Sequence, residues 1–290
     1  MRMVHLDFAF DWFLKDCNLL PRDSAGKYTK HEMIQAFAQF GGTSNISLKH
    51  DYWHDTPVRD LKTMVRDVGL SPASYVFTCD LAVPDDSRQA VVDDAYSVLE
   101  RVAELEVPMV MIIAAMVKEE QPIEQQKQWL IEGLRPLAER AEAMNLILFS
   151  ENMDWEVNRP FMGKSADCVS TCEAVGSPAY KLAFDIKAPL FSGETPLDAL
   201  ELMAPHVCNV HVANVREALP EETRYFVADD GRRLTAAPLD DGLIDVPSVF
   251  ARLREIGFDG PVDVEYQGME DPVEAIPKMM RFLREELGLD

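Results

Sequence analysis

Positive charge is scarce in this chain: 28 Lys and Arg stand against 50 Asp and Glu in 290 residues, for a formal net charge of −22. Such a surface repels phosphate backbones and anionic lipid, so neither nucleic acid nor a membrane surface is expected as a partner. Long hydrophobic runs are also missing. The longest, Val107–Val117, is too short to cross a bilayer, and no stretch has the layout of a secretory signal. The five cysteines, Cys17, Cys79, Cys168, Cys172 and Cys208, are scattered and odd in number, which argues against a disulfide framework. Cys168 and Cys172 lie four apart on an expected helix, but no second pair completes a thiolate metal site, so free buried thiols are expected. These absences together point to a cytoplasmic protein of a reducing compartment.

No linker divides the chain, and a single α/β domain of this length buries roughly 75% of its unfolded surface without staples. Short apolar runs alternate with longer amphipathic stretches from one end to the other. Strands are expected at Met3–Phe10, Asn45–Lys49, Tyr75–Leu81, Val107–Ala114, Leu146–Glu151, Tyr180–Ile186, Val207–Val212 and Pro261–Glu265. Helical stretches follow each of them. Thr29 and Glu32 have capping-box spacing, Thr56 and Pro57 read as an N-cap followed by proline at N1, and Asp245 caps the helix that runs to Ile256. Eight such strand–helix units over residues 1–290 predict one α/β domain, a (β/α)8 TIM barrel. Two segments break the rhythm. The loop Asp11–Tyr28 and the irregular excursion Arg216–Gly242 are longer than minimal connections, and at least one is expected to overhang the barrel mouth.

Four of the late strands each end in a metal-ligating or acid/base side chain: Glu151, Asp185, His211 and Glu265. Side chains two apart on a strand share a face. That places Ile147, Phe149 and Glu151 inward, and likewise Asp185 with Lys187, Asn209 with His211, and Asp263 with Glu265. In such a barrel the strand C-termini form the active site, so the four end groups converge on one mouth. Three carboxylates and one imidazole without a thiolate suit one divalent metal ion, Mn²⁺, Mg²⁺, Co²⁺ or Zn²⁺.

The segments Ser150-Glu-Asn152, Phe184-Asp185, Val210-His-Val212, Asp241-Gly-Leu-Ile-Asp245 and Val264-Glu265 resemble those of the xylose-isomerase-like sugar phosphate isomerase/epimerase superfamily. The resemblance runs over essentially the whole chain. It implies one metal ion held by Glu151, Asp185, His211 and Glu265, and the same two glutamates moving protons on opposite faces of a small carbohydrate substrate. Two departures stand out: Ala188 occupies the place of a substrate-contacting His, and Asn214 the place of an Asp. Lys187 is a further catalytic candidate. It could hydrogen-bond substrate, act as a base of lowered pKa, or pair with a carboxylate such as Asp263.

Arg216, His50, His54 and Trp12 are candidates for substrate binding. Phe13, Tyr52, Trp53 and Trp155 are expected in top-side loops that could stack on a sugar ring or pack the rim. His31 and His206 read as structural. The leading expectation is a metal-dependent keto-sugar isomerase or epimerase. The alternative is a lyase or dehydratase that expels a β-substituent of a keto-inositol or keto-glycoside from the same site. A non-catalytic partner subunit is a third reading, and a homo-oligomer or a partner chain is expected. The trinuclear site of a base-excision endonuclease would need more strand-end histidines than this chain has.

Overall fold

The computed structural model of the chain describes residues 1–6, 29–266 and 272–289. The loop Asp11–Tyr28, with Trp12 and Phe13, lies outside the described residues. The chain runs through β1 (Arg2–Leu6), α1 (Lys30–Phe40), β2 (Asn45–Lys49), α2 (His50–Trp53), α3 (Val58–Asp67), β3 (Ser71–Thr78), α4 (Asp85–Leu105), β4 (Met109–Ile113), α5 (Ile123–Ala143) and β5 (Ile147–Glu151). It continues through α6 (Arg159–Met162), α7 (Ser165–Val175), β6 (Tyr180–Asp185), α8 (Ala188–Phe191), α9 (Pro196–Met203) and β7 (Val207–Val212). The last part holds β8 (Asn214–Glu217), β9 (Phe226–Val227), β10 (Arg233–Ala237), α10 (Val246–Glu255), β11 (Pro261–Val264) and α11 (Pro272–Glu285). Strands β1 to β7 and β11 pair in parallel in a closed ring, with β1 between β2 and β11. That is the eight-stranded barrel the strand–helix rhythm predicts.

Alternation along the strands sorts side chains between two cores. Leu148, Leu182, Phe184, Val210, Val212, Val262 and Val264 point outward and join the helices in the main hydrophobic core. The opposite faces fill the barrel. Val76, Met109, Met111, Phe149 and Ala183 form an apolar plug on one side. On the other, Ser47 bonds Ser74 and donates to Asp263 Oδ1, while Asn209 Nδ2 donates to Asp263 Oδ2 at 2.6 Å. The inward register read for Phe149, Asn209 and Asp263 is the one observed.

Side-chain caps close the starts of α1, α9 and α10. Thr29 and Glu32 close the capping box of α1, and the Asp245 side chain accepts from Ser248 N at the start of α10. Thr56 is different. Helix α3 begins one residue later than expected, Pro57 holds the cap position, and no side chain caps it. Thr56 Oγ1 instead accepts from Lys30 Nζ at 2.8 Å, tying the turn to α1.

The excursion Arg216–Gly242 is more regular than its sequence suggests. Strands β8, β10 and β9 form a small antiparallel sheet, with Thr235 opposite Arg216 and Leu234 opposite Phe226. Asn214 anchors its return. Its Nδ2 donates to the carbonyls of Leu239 and Ile244, and its Oδ1 accepts from Ile244 N. A Cβ at Gly242 would stand 2.2 Å from the Asn214 amide, so only glycine lets the chain pass there. This sheet shares a pocket with Lys187 and Glu265, which places it over the barrel mouth.

Candidate metal centre and active site

Strand β5 delivers the first group. Phe149 is buried in the barrel plug, and two residues on Glu151 emerges at the same face, 8% exposed. Asn152 then locks β5 to β6: its Oδ1 accepts from Asp185 N at 2.7 Å and its Nδ2 donates to Asp185 O at 3.0 Å. On β6 the Asp185 carboxylate is held by its own chain, accepting from Lys187 N at 3.0 Å. Ile186 N donates to His211 O, and Glu265 N to Val212 O, so the ends of β6, β7 and β11 are stitched at one height. Backbone geometry, rather than flexible loops, sets the positions of these side chains.

Ligand atoms of Glu151, His211 and Glu265 lie within 4.8 Å of one another, and all three residues are buried. Nδ1 of His211 stands 2.6 Å from Glu151 Oε1. The two meet off the hydrogen-bond axis, leaving Nδ1 a buried polar atom without a hydrogen bond. Two ligand atoms facing a common point in this way, with a third carboxylate beside them, fit a divalent cation. Asp185, the fourth expected ligand, is not in that group. Its Oδ2 accepts from the ammonium of Lys187.

Lys187 is the centre of the charge balance. It is 3% exposed, and its Nζ lies 2.8 Å from Glu265 Oε2 and 3.1 Å from Asp154 Oδ2, besides touching Asp185. Burial pulls the Lys187 pKa down, but Asp154, Asp185 and Glu265 outweigh it and hold the group well above the ordinary lysine value. Without a metal ion these carboxylates push Lys187 away from a lowered pKa and pair with it as an ammonium. The carboxylate Asp263 is not its partner either, being engaged by Ser47 and Asn209. For His211, burial also pulls the pKa down. The adjacent Glu151 carboxylate reverses this and raises it to about 10.

The other described candidates make their contacts outside this cluster. Ser47 faces the barrel interior and Leu48 the outer core, while His50 lies past the strand as the first residue of α2. His50 Nδ1 is 3.1 Å from the hydroxyl of Tyr75, itself in the outer core, and the His54 ring lies 5.5 Å away. Burial lowers the His50 pKa, with His54 adding to the effect. Arg216 forms a bidentate pair with Glu222, at 2.7 and 2.8 Å, at the edge of the small sheet. Trp53 is fully buried and packs edge-on against Phe37, so it belongs to the core. Trp155 is 39% exposed. His206 approaches Cys172 Sγ at 3.4 Å near the start of β7, away from the mouth. Burial pushes the Cys172 thiol up to about 11.

Two further residues reach the site without any strand-register signal in the sequence. Asp154 lies past the strand end, where the period-two signal has stopped. Its place three residues after Glu151 was the available clue. Arg224 lines the pocket that also reaches Lys187, Glu265 and Tyr266. It sits in the segment between β8 and β9, and no pattern marked it.

Comparison with known proteins places this arrangement in a family. An inosose dehydratase from Bacillus thuringiensis (strain Al Hakam) is 26% identical over 179 residues, covering 58% of this chain and 58% of that protein. The chain thus matches little more than half the length of that relative. A D-psicose 3-epimerase from Clostridium cellulolyticum H10, solved with D-tagatose, superposes with a TM-score of 0.74 at 13% identity, covering 100% of both chains. A xylose isomerase-like TIM barrel protein from Mycobacterium smegmatis, solved in complex with magnesium, gives a TM-score of 0.70 at 17% identity, over 92% of this chain and 93% of that one. The sequence profile of the xylose isomerase-like TIM barrel family matches residues 34–286, and the chain belongs to that family.

Proposed function

We propose that this protein is a divalent-metal-dependent enzyme that takes a proton from the carbon next to a carbonyl of a small polyhydroxylated keto compound. The observation that carries this reading is the buried convergence of Glu151, His211 and Glu265 at the C-terminal mouth of the barrel. Those three residues would hold the ion, with Asp185 as a fourth ligand if it turns from Lys187. When bound, the ion supplies Lewis-acid stabilisation of the negative charge that develops on the substrate oxygen. The donor set, free of thiolate, suits Mn²⁺, Mg²⁺, Co²⁺ or Zn²⁺ alike.

The protein's own groups then divide the work. A carboxylate at Glu151 or Glu265 removes the proton, and a positioned base of this kind contributes typically ~10²–10⁴-fold. If the other glutamate returns a proton to the opposite face, the carbon is inverted and the enzyme is a keto-sugar epimerase or isomerase. Lys187 acts as a fixed ammonium that holds Glu265 in place. Membership of the xylose isomerase-like family supports this as the leading outcome.

One observation favours elimination as the second reading. Glu151 and Glu265 are unequal once an ion binds: the first faces His211, whose ring must be neutral to ligate, while the second is paired with an ammonium at 2.8 Å. A glutamate so paired is a weaker proton acceptor, and a site with one working base suits loss of a β-substituent. The inosose dehydratase relative agrees with it.

Incubation of the Mn²⁺-loaded protein with D-fructose, D-tagatose and an inosose in D₂O, followed by NMR, separates these outcomes. Deuterium at the carbon beside the carbonyl with an inverted product supports epimerisation; deuterium with loss of water supports the dehydratase. Turnover of any of these compounds with the carbon-bound hydrogen fully retained would overturn proton abstraction.

A further inference from the structure

We propose that Lys187 is a resident cation that fills a second cation position beside the metal site, so that the mouth accepts one divalent ion and not two. This rests on the metal-site reading above. Four carboxylates, Glu151, Asp154, Asp185 and Glu265, are gathered at the mouth, each less than a tenth exposed. Three of them place an oxygen on the Lys187 ammonium, with Asp154 Oδ2 at 3.1 Å and Glu265 Oε2 at 2.8 Å. The fourth, Glu151, faces His211 instead. The carboxylates thus form two adjoining nests that share Glu265: one closed by His211, one already filled by a side chain that carries its own charge.

Charge decides how many ions such a cluster takes. Buried carboxylates without a cation are costly, and the cost rises with each one added. With Lys187 present, one divalent ion leaves the four carboxylates with a single net negative charge, and a second would make the cluster net positive. With the ammonium removed, two divalent ions neutralise the four carboxylates. The geometry is suited to the exchange. An ammonium–oxygen distance of 2.8 Å shortens to a metal–oxygen distance of roughly 2.0–2.2 Å by a small inward shift of the same oxygens. Lys187 is a positioning residue here. It fixes Asp185 and Glu265, and it withholds Asp154 and Asp185 from a second ion.

The test is metal stoichiometry, read without turnover. Wild-type protein and the variants Lys187→Met and Lys187→Arg are stripped with chelator, equilibrated with Mn²⁺, and measured by equilibrium dialysis and electron paramagnetic resonance. Wild type and Lys187→Arg should hold one Mn²⁺ per chain with the spectrum of an isolated ion. Lys187→Met should hold two, show spin coupling between them, and gain more in melting temperature from Mn²⁺ than wild type does. Lys187→Gln keeps hydrogen-bond donors without the charge; it too should hold two ions, and it decides the matter if Lys187→Met does not fold. One Mn²⁺ in the folded neutral variants, or two in Lys187→Arg, overturns the proposal. No Mn²⁺ in wild type would sink the metal-site reading itself, and this inference with it.

Discussion

The barrel buries carboxylates at two levels, and they are held in opposite ways. In its middle, Asp263 is satisfied by neutral donors alone, the Ser47 hydroxyl and the Asn209 amide. At the mouth, Glu151, Asp154, Asp185 and Glu265 meet cationic or ionisable partners, His211 and Lys187. Asp263 and Glu265 stand two residues apart on one face of the same chain segment, so sequence position cannot distinguish them. What differs is the company kept across the barrel. The middle level is a closed hydrogen-bonded plug with a structural task. The mouth gathers four buried carboxylates around Lys187 and His211, and on the reading proposed above a divalent ion completes it.

Substitutions sharpen the contrast, beginning with the largest expected effect. Removing the ammonium with Lys187→Met strands buried carboxylates, and in metal-free protein this should lower stability by about 3–5 kcal/mol, measured by urea unfolding. A loss under about 1 kcal/mol would mean that the mouth is as self-sufficient as the middle. Glu151→Gln and Glu265→Gln keep size and remove basicity. Each should cut turnover at least ~10²-fold, about 2.7 kcal/mol of barrier, with metal occupancy measured alongside because both groups touch the ion.

Titration should separate the levels next. Glu151 raises the His211 pKa to about 10 in metal-free protein, above its ordinary 6.5. A raised folded pKa means that His211 contributes stability fully below about pH 6.5, and that this contribution is lost as pH rises towards about 10. A metal ion needs the neutral ring. Its binding near pH 7.5 should therefore release about one proton, seen by calorimetry in buffers of different ionisation enthalpy, and affinity should rise with pH. No proton release would place His211 outside the ligand set.

The smallest effect is expected in the middle. Asn209 Oδ1 is buried without a hydrogen-bond partner, so its amide can rotate to accept from an asparagine at position 263. Asp263→Asn should then cost less than about 1.5 kcal/mol and leave metal affinity unchanged. A large loss of metal affinity would show that the two levels are one network.

Much of this was legible in the sequence, because strands impose a period of two over a known direction. Strands β2 and β7 have the bounds the sequence predicts, and Glu151, His211 and Glu265 converge as their registers require. Pairing across the barrel was not legible. Lys187 and Asp263 share the inward face, but alternation says nothing of depth, and the lysine chooses the carboxylates at its own height. His50 follows β2 but opens the short helix α2, where it meets the Tyr75 hydroxyl, so the alternation of β2 does not set its direction. The small sheet of β8, β9 and β10 lies in the segment that reads as irregular, and its runs of 4, 2 and 5 residues carry no strict polar–apolar alternation. The four-residue helix α2 is shorter than the pattern that would reveal it.

The central claim is that the mouth is built around a divalent ion. Crystals of the protein loaded with Mn²⁺, measured near the manganese absorption edge, test it most directly. The account predicts one anomalous peak at the mouth, with His211 nitrogen and the oxygens of Glu151 and Glu265 at roughly 2.0–2.3 Å. A peak away from these three side chains, or none at saturating Mn²⁺, would contradict it.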